Sequence, residues 1–304
     1  MIDERLYMPS VLRTVMKRHH LRFTKSLGQN FLIDGNAVRK IVETAGITAE
    51  DTVLEVGPGI GTLTQALLET GAHVITVELD RTFYPVLEEA FGDNPRFSLL
   101  KGDALKLPLE EELERLAPGA AVHVVANVPY YITTPLLRRF LDDALPVETI
   151  TVLVQNEVAD RMTAAPGTKT YGALSLLLAF YGKANKAFTV PRTSFLPPPK
   201  VDSAVVHLKK DPLGNLTATQ RNAVNAIVRQ AFLERRKMVK KSLMHSTGAD
   251  AQAIESFLVS RGLPKTARAE NLSPEDFVAL WQTFGYKTSE SKKNEKERII
   301  QWQK

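Results

Sequence analysis

The chain of 304 residues contains no cysteine. Disulfides and thiolate metal ligands are therefore excluded, and the composition fits a reducing cytoplasm. Its six histidines stand at no ligand spacing, and His19 and His20 are adjacent within a basic run, so no metal site is expected. No apolar run approaches the length needed to span a bilayer, so no membrane association is expected. The lysine of a phosphate-binding P-loop is missing as well. What remains is ordinary for a folded protein: 44% hydrophobic and 24% charged residues. The formal net charge of +5 favours an anionic partner only where the cations cluster.

The stretch Thr52 to Leu68 organises the rest. Val53, Leu54 and Val56 form a short strand-type run; Gly57-Pro58-Gly59-Ile60-Gly61 follow at once, and Leu63, Leu67 and Leu68 then recur at helical spacing. Strand, glycine turn and helix form the opening unit of a nucleotide-binding α/β sheet. Glycine permits the tight turn and a close ligand approach. The pattern is not the dinucleotide G-x-G-x-x-G. With Glu55 ahead of it, the E-x-G-x-G-x-G form looks like motif I of S-adenosylmethionine-dependent methyltransferases.

Two acids follow at strand ends. Ala72 to Leu79 reads as a buried strand ending in Glu78 and Asp80, about 20 residues past the glycines, where an acid accepts bonds from ribose hydroxyls. Phe97 to Leu100 reads as a third strand and leads to Gly102-Asp103, where a carboxylate meets an adenine amino group. Asp103 is equally well read as a turn former. Ligands of such sheets collect at the carboxyl ends of the strands.

A fourth buried strand, Val122 to Ala126, runs into Asn127-Val128-Pro129-Tyr130. This stretch looks like the N-P-P-Y/F signature of enzymes that methylate exocyclic base amines. The adenine N6 lone pair is delocalised into the ring, so N6 is a poor nucleophile. The Asn127 side-chain oxygen and a backbone carbonyl near Val128 are placed to accept both N6 hydrogens and turn the lone pair toward a methyl donor. Tyr130 supplies a stacking face worth about 1–3 kcal/mol, and Pro129 fixes the turn. No general base is needed before attack, because the proton leaves after positive charge has reached N6. Phe195, ahead of the stiff Pro197-Pro198-Pro199 connection, is read either as a second wall of the base pocket or as a core residue.

Further along, Thr149 to Gln155 reads as a strand, Ala173 to Phe180 as a buried helix, and Lys186 to Pro191 with Val205 to Leu208 as a strand pair. Lys209 to Thr217 breaks both periodicities and marks a boundary. Helices are expected at Thr219–Phe232, Arg235–Met244, Ala251–Ser260 and Pro274–Phe284, with Val224, Ile227, Val228 and Ala231 in a small core. Arg229, Arg235, Arg236, Lys237, Lys240 and Lys241 cluster against one nearby acid, Glu234, and form a candidate phosphate-binding stripe. Residues 1–22 read as a basic arm bearing Arg13, Lys17, Arg18, His19 and His20. Asp34 is the expected N-cap of a helix ending at Gly46. Lys287 to Lys304 carry no core residues and read as a mobile tail.

Taken together, SLGQNFL, LEVGPGIGTLT, VELD, GDAL, NVPYYI, QNEVADRM, YGALS, FLPPPKVDSAV, FLERRKMVKKSL and RAENLSPEDF resemble the ribosomal RNA adenine N6-dimethyltransferases. The likeness runs from about Phe23 to Phe284, and the small-subunit type is the nearer match. The resemblance implies a Rossmann-like class I methyltransferase sheet (residues 23–210) with a small all-helical rRNA-binding domain (211–286). It implies S-adenosylmethionine contacts from Asn30, Leu32, Gly57, Gly59, Glu78, Asp103 and Asn127. Asn127, Pro129 and Tyr130 are implied at the target amine, with Phe195 a stacking candidate. The implied partner is small-subunit rRNA within a pre-ribosomal subunit, met by a monomer. Val128 and Tyr131 stand where the family most often has Leu and Asn; Val128 is expected to contribute its backbone. Two alternatives stay open. A large-subunit rRNA methyltransferase of the antibiotic-resistance type is opposed by RAENLSPEDF and the larger helical domain. A non-catalytic RNA-binding, assembly or transcription factor is opposed by the intact Gly57, Glu78, Asp103 and Asn127.

Overall fold

Residues 5–21, 29–141 and 144–286 are described by the computed structural model. Expectations resting on Arg22 to Gly28 and on the tail 287–304 lie outside the described residues. The chain divides into two units: Met1–Thr163 with Tyr181–Asp211, and Ala164–Phe180 with Pro212–Lys304.

The first unit runs α1 (Pro9–Arg18), β1 (Phe31–Leu32), α2 (Gly35–Ala45), β2 (Thr52–Val56), α3 (Thr62–Leu68), β3 (His73–Glu78), α4 (Tyr84–Phe91), β4 (Phe97–Lys101), α5 (Leu109–Leu116), β5 (Val122–Asn127), α6 (Thr133–Phe140), β6 (Val147–Gln155), α7 (Asn156–Met162), β7 (Gly182–Val190), β8 (Phe195–Leu196) and β9 (Ser203–Lys210). Seven strands form one sheet in the order β4-β3-β2-β5-β6-β9-β7. The ladders are parallel from β4 to β6, and β9 enters antiparallel between β6 and β7. All five residues of β2 are buried, as a central parallel strand covered on both faces requires. The order reverses beside β2, so the tips of β2 and β5 open a crevice there.

Local signals explain the covering helices. Asp34 caps α2 by accepting the backbone N–H groups of Asn36 and Ala37, and Gly46 ends it in the left-handed conformation. The apolar faces of α2 and α3 close over Val53, Val74, Val125, Leu153 and Val205 of the sheet.

The expected basic arm differs from what is found in residues 5–21. Proline at N1 starts α1 and its side chains Val11, Leu12 and Val15 are buried. With Leu6 they join Phe31, Ile60, Phe83, Leu87 and Phe91 in a second core cluster. Each such burial contributes roughly 1.5–3 kcal/mol, enough to hold the segment against the fold. The charges that made it read as an arm occupy its outer side: Arg18 and His19 both meet Glu89, at 2.7 and 2.8 Å.

The second unit contains α8 (Ala173–Ala179), α9 (Ala218–Phe232), α10 (Lys240–Thr247), α11 (Ala251–Ser260) and α12 (Pro274–Phe284). Thr217 and Ser273 begin α9 and α12 with reciprocal capping boxes. Val224, Ile227, Val228 and Ala231 are buried on α9. Two expectations are corrected. Residues 164–180 group with this unit rather than with the sheet, because the Tyr171 hydroxyl donates to the Leu272 carbonyl at 2.9 Å and its ring meets Phe232 edge-on. The helix expected from Arg235 starts only at Lys240; residues 233–238 form a turn closed by the Lys237 N–H on the Glu234 carbonyl.

Candidate active site at the strand tips

A cleft opens where β2, β3, β4 and β5 end. It is lined by Gln29 to Leu32, Glu55 to Gly59, Glu78 to Asp80, Asp103 and Asn127 to Tyr130, among others. Of the expected site residues outside the helical unit, Asn30, Leu32, Gly57, Gly59, Glu78, Asp103, Asn127, Pro129 and Tyr130 all face this one cleft.

The glycine turn is built by backbone conformation. Gly57, Gly59 and Gly61 have φ of 74°, 57° and 91°, a region that a side chain disfavours. Close ligand approach is only part of the reason for them. A Cβ on Gly59 would lie 2.8 Å from the Phe31 ring, and one on Gly61 would collide with Phe91. Two of these glycines are therefore required by aromatic packing against the turn.

The acids differ in surroundings. Glu78 accepts the Gly59 N–H at 3.0 Å and the Asp80 N–H at 2.7 Å, and burial nevertheless raises its pKa. One N–H on each oxygen leaves lone pairs for a pair of vicinal hydroxyls. Glu55 is fully buried, accepts the Thr64 hydroxyl at 2.6 Å, and is pushed up to about 8 by burial. Near pH 7 it is mostly protonated. Asp103 lines the cleft and accepts the Leu105 N–H at 3.0 Å, which holds its own turn.

Asn127, the last residue of β5, donates from Nδ2 to the Asn30 carbonyl at 3.2 Å. That bond fixes which end of the amide is which and leaves Oδ1 as the acceptor at the cleft. Asn30 thus meets Asn127 through its backbone carbonyl. Val128 is buried with its N–H on the Leu153 carbonyl, and the Thr133 hydroxyl donates to the Tyr130 carbonyl at 3.2 Å. The Tyr130 hydroxyl lies 2.7 Å from Ser203 Oγ, and burial raises its pKa.

Phe195 is corrected. It is 2% exposed, sits in the core with Leu32, Val190 and Val205, and is absent from the cleft lining. Its strand β8 pairs with β1, so the side chain is spent on anchoring the Phe31–Leu32 segment. Conversely, Phe31 and Phe83 line the cleft and meet edge-to-face at 5.7 Å. Apolar periodicity marks Phe83 as a helix residue but carries no signal that it lines the cleft.

In the helical unit, the expected cationic stripe is only partly free. Arg235 pairs with Glu270 at 2.9 Å and donates to the Lys169 carbonyl; Lys237 pairs with Glu234 and Lys240 with Glu255, both at 2.7 Å. Arg236 and Lys241 are exposed and form no ion pair with a described residue, and Arg229 is exposed in the last turn of α9. Among the described residues no cluster of potential ligands would hold a metal ion, and no helix is long and apolar enough to cross a membrane.

Comparison with known proteins gives consistent matches. The family model described as ribosomal RNA adenine dimethylase matches residues 20–285. A ribosomal RNA small subunit methyltransferase A from Alkaliphilus oremlandii is 38% identical over 280 residues, covering 91% of this chain and 97% of that protein. One from Shouchella clausii is 40% identical over 284 residues, covering 92% and 95%. Among solved structures, a dimethyladenosine transferase from Plasmodium falciparum superposes with a TM-score of 0.68 at 26% identity, covering 83% of this chain and 98% of that one. The 23S rRNA methyltransferase ErmE does so with a TM-score of 0.67 at 26% identity, covering 84% and 99%.

Proposed function

The chain belongs to the ribosomal RNA adenine dimethylase family, and from that premise we propose how its cleft carries out the family's reaction. The enzyme transfers methyl groups from S-adenosylmethionine to N6 of two adjacent adenosines near the 3′ end of small-subunit (16S) rRNA, dimethylating each. The relatives named for the small subunit match at 38% and 40%, against 26% for the 23S enzyme, which favours the small-subunit substrate.

The donor fits the residues present. Glu78, with lone pairs left beside its two N–H partners, holds the ribose hydroxyls; Asp103 meets the adenine amino group; the Gly57–Gly59 turn lets the donor lie close to the backbone. Phe31 and Phe83 complete an apolar wall. The donor supplies an activated methyl on a sulfonium. The protein's task is positioning: it brings N6 and the methyl into line and sets acceptors where charge develops on N6. The Asn127 amide, oriented by the Asn30 carbonyl, provides one acceptor and the backbone near Val128 the other. Tyr130 stacks on the adenine, which must be drawn out of its RNA neighbours to reach the cleft.

The observation that carries this reading is the convergence of Asn127–Tyr130 and Gly57–Gly59 on one cleft. The exposed Arg236 and Lys241 supply phosphate contacts in the helical unit. A monomer acting in the cytoplasm completes the proposal, in keeping with a cysteine-free chain and an rRNA substrate. The test supplies labelled donor with undermethylated small subunits or with large subunits, then maps the products by mass spectrometry. Dimethyladenosine confined to the small subunit is expected. Labelling of the large subunit would favour the antibiotic-resistance type, and donor binding without any methylation would favour an assembly factor.

A further inference from the structure

The Tyr130 ring is held from behind by a residue outside the cleft. Ser203 opens β9, is 0% exposed, and is absent from the cleft lining. It lies in register with Gln155 of β6 on one side and Val190 of β7 on the other, so the sheet fixes its position from both flanks. Tyr130 belongs to the short helical turn Tyr130–Ile132, outside the sheet, and its hydroxyl reaches back 2.7 Å to Ser203 Oγ. The ring is thereby tied at both ends: its backbone through Thr133, its hydroxyl through Ser203.

We infer that Ser203 is a positioning residue that locks the Tyr130 ring as a fixed stacking face, and that this lock matters most for the second methyl transfer to each adenosine. The inference rests on the adenine N6 reading above. In each round N6 donates its lone pair to the methyl carbon. The carbon–sulfur pair stays with sulfur, leaving a neutral thioether, and one N6 proton departs to water. An unmodified N6 enters with two hydrogens, one for each acceptor. A monomethylated N6 enters with one, so one acceptor loses its partner and the grip on the amine weakens. Placement of the base then depends more on the stacking face. A ring free to turn about its two side-chain torsions must be ordered in every encounter, whereas a tethered ring is already set.

The experiment compares wild-type enzyme with Ser203→Ala, Tyr130→Phe and the double variant on undermethylated small subunits, reading monomethyl and dimethyl adenosine over time. Tyr130→Phe removes the same bond from the other end and leaves β9 intact, so misfolding of one variant does not decide the result. Each single variant is expected to raise the ratio of monomethyl to dimethyl product about three- to tenfold, the range of one net hydrogen bond. The double variant should match either single one, because both remove one interaction. Donor affinity of Ser203→Ala, measured by titration calorimetry, should stay within about twofold of wild type, the scatter expected where no contact is lost. An unchanged product ratio in both single variants, additive effects in the double variant, or a parallel fall of both rounds with weakened donor binding overturns the lock. If the wild-type enzyme forms no dimethyladenosine at all, the failure belongs to the functional reading instead.

Discussion

The strand-tip cleft and the cationic turn between α9 and α10 were both read from short sequence motifs, yet they differ in what a motif guarantees. In the cleft, nine expected residues face one cavity, because the ends of parallel strands in one sheet must lie side by side. The six expected cations run from the last turn of α9 to the first turn of α10, but Arg235, Lys237 and Lys240 are engaged by Glu270, Glu234 and Glu255. A motif that dictates backbone path also dictates neighbours. A run of like charge dictates only composition, since two of the acids that neutralise it, Glu255 and Glu270, lie outside the run.

The largest effect should come from breaking the cleft alone. Asn127→Ala removes the oriented acceptor, and kcat should fall about 10²–10³-fold, as for loss of a transition-state hydrogen-bond partner. RNA affinity, read by filter binding, should change little if the two regions act separately. A variant retaining near-normal turnover would end the role given to this amide.

The cationic turn offers a sharper contrast. Arg236→Glu with Lys241→Glu should weaken RNA binding roughly tenfold and reduce the slope of affinity against salt by about two. Arg235→Gln with Lys240→Gln should lower the melting temperature more than the RNA affinity, because it strips partners from Glu270 and Glu255. Equal losses of affinity in both pairs would show that internal pairing does not decide which cations meet phosphate.

A third contrast concerns the buried Glu55. In the folded protein it holds its proton up to about pH 8, whereas an unfolded chain releases it near 4.3, so the folded state binds more protons between these values. Stability from this group is therefore full below about pH 4 and declines as pH rises toward 8, by at most about 1.4 kcal/mol per pH unit. Glu55→Gln keeps an acceptor for the Thr64 hydroxyl and should flatten that decline in melting curves taken at several pH values. An unchanged decline would mean that the carboxylate is already charged in the fold at these pH values.

Much of the first unit was legible from apolar runs, the glycine turn, the Asp34 cap and the strand-end acids, because each follows from local backbone chemistry. Phe195 was not. A phenylalanine beside three prolines carries no mark of which way it turns, and pairing of β8 with β1 decided it. Residues 9–18 misled because their charges are conspicuous while Val11, Leu12 and Val15, at helical spacing, are few. The anchoring of Tyr171 on Leu272 spans a separation that no periodicity reports.

One bond in the cleft has a chemical corollary. Asparagine offers a giver of hydrogen at one corner and a taker at the other, and position 127 uses the giver on a carbonyl 3.2 Å away. Aspartate copies the outline but would set two lone-pair-bearing oxygens face to face. The near-isosteric swap is thus the disruptive one here: it would turn the headgroup or drive it out, and the base amine would lose its partner with the side-chain outline unchanged.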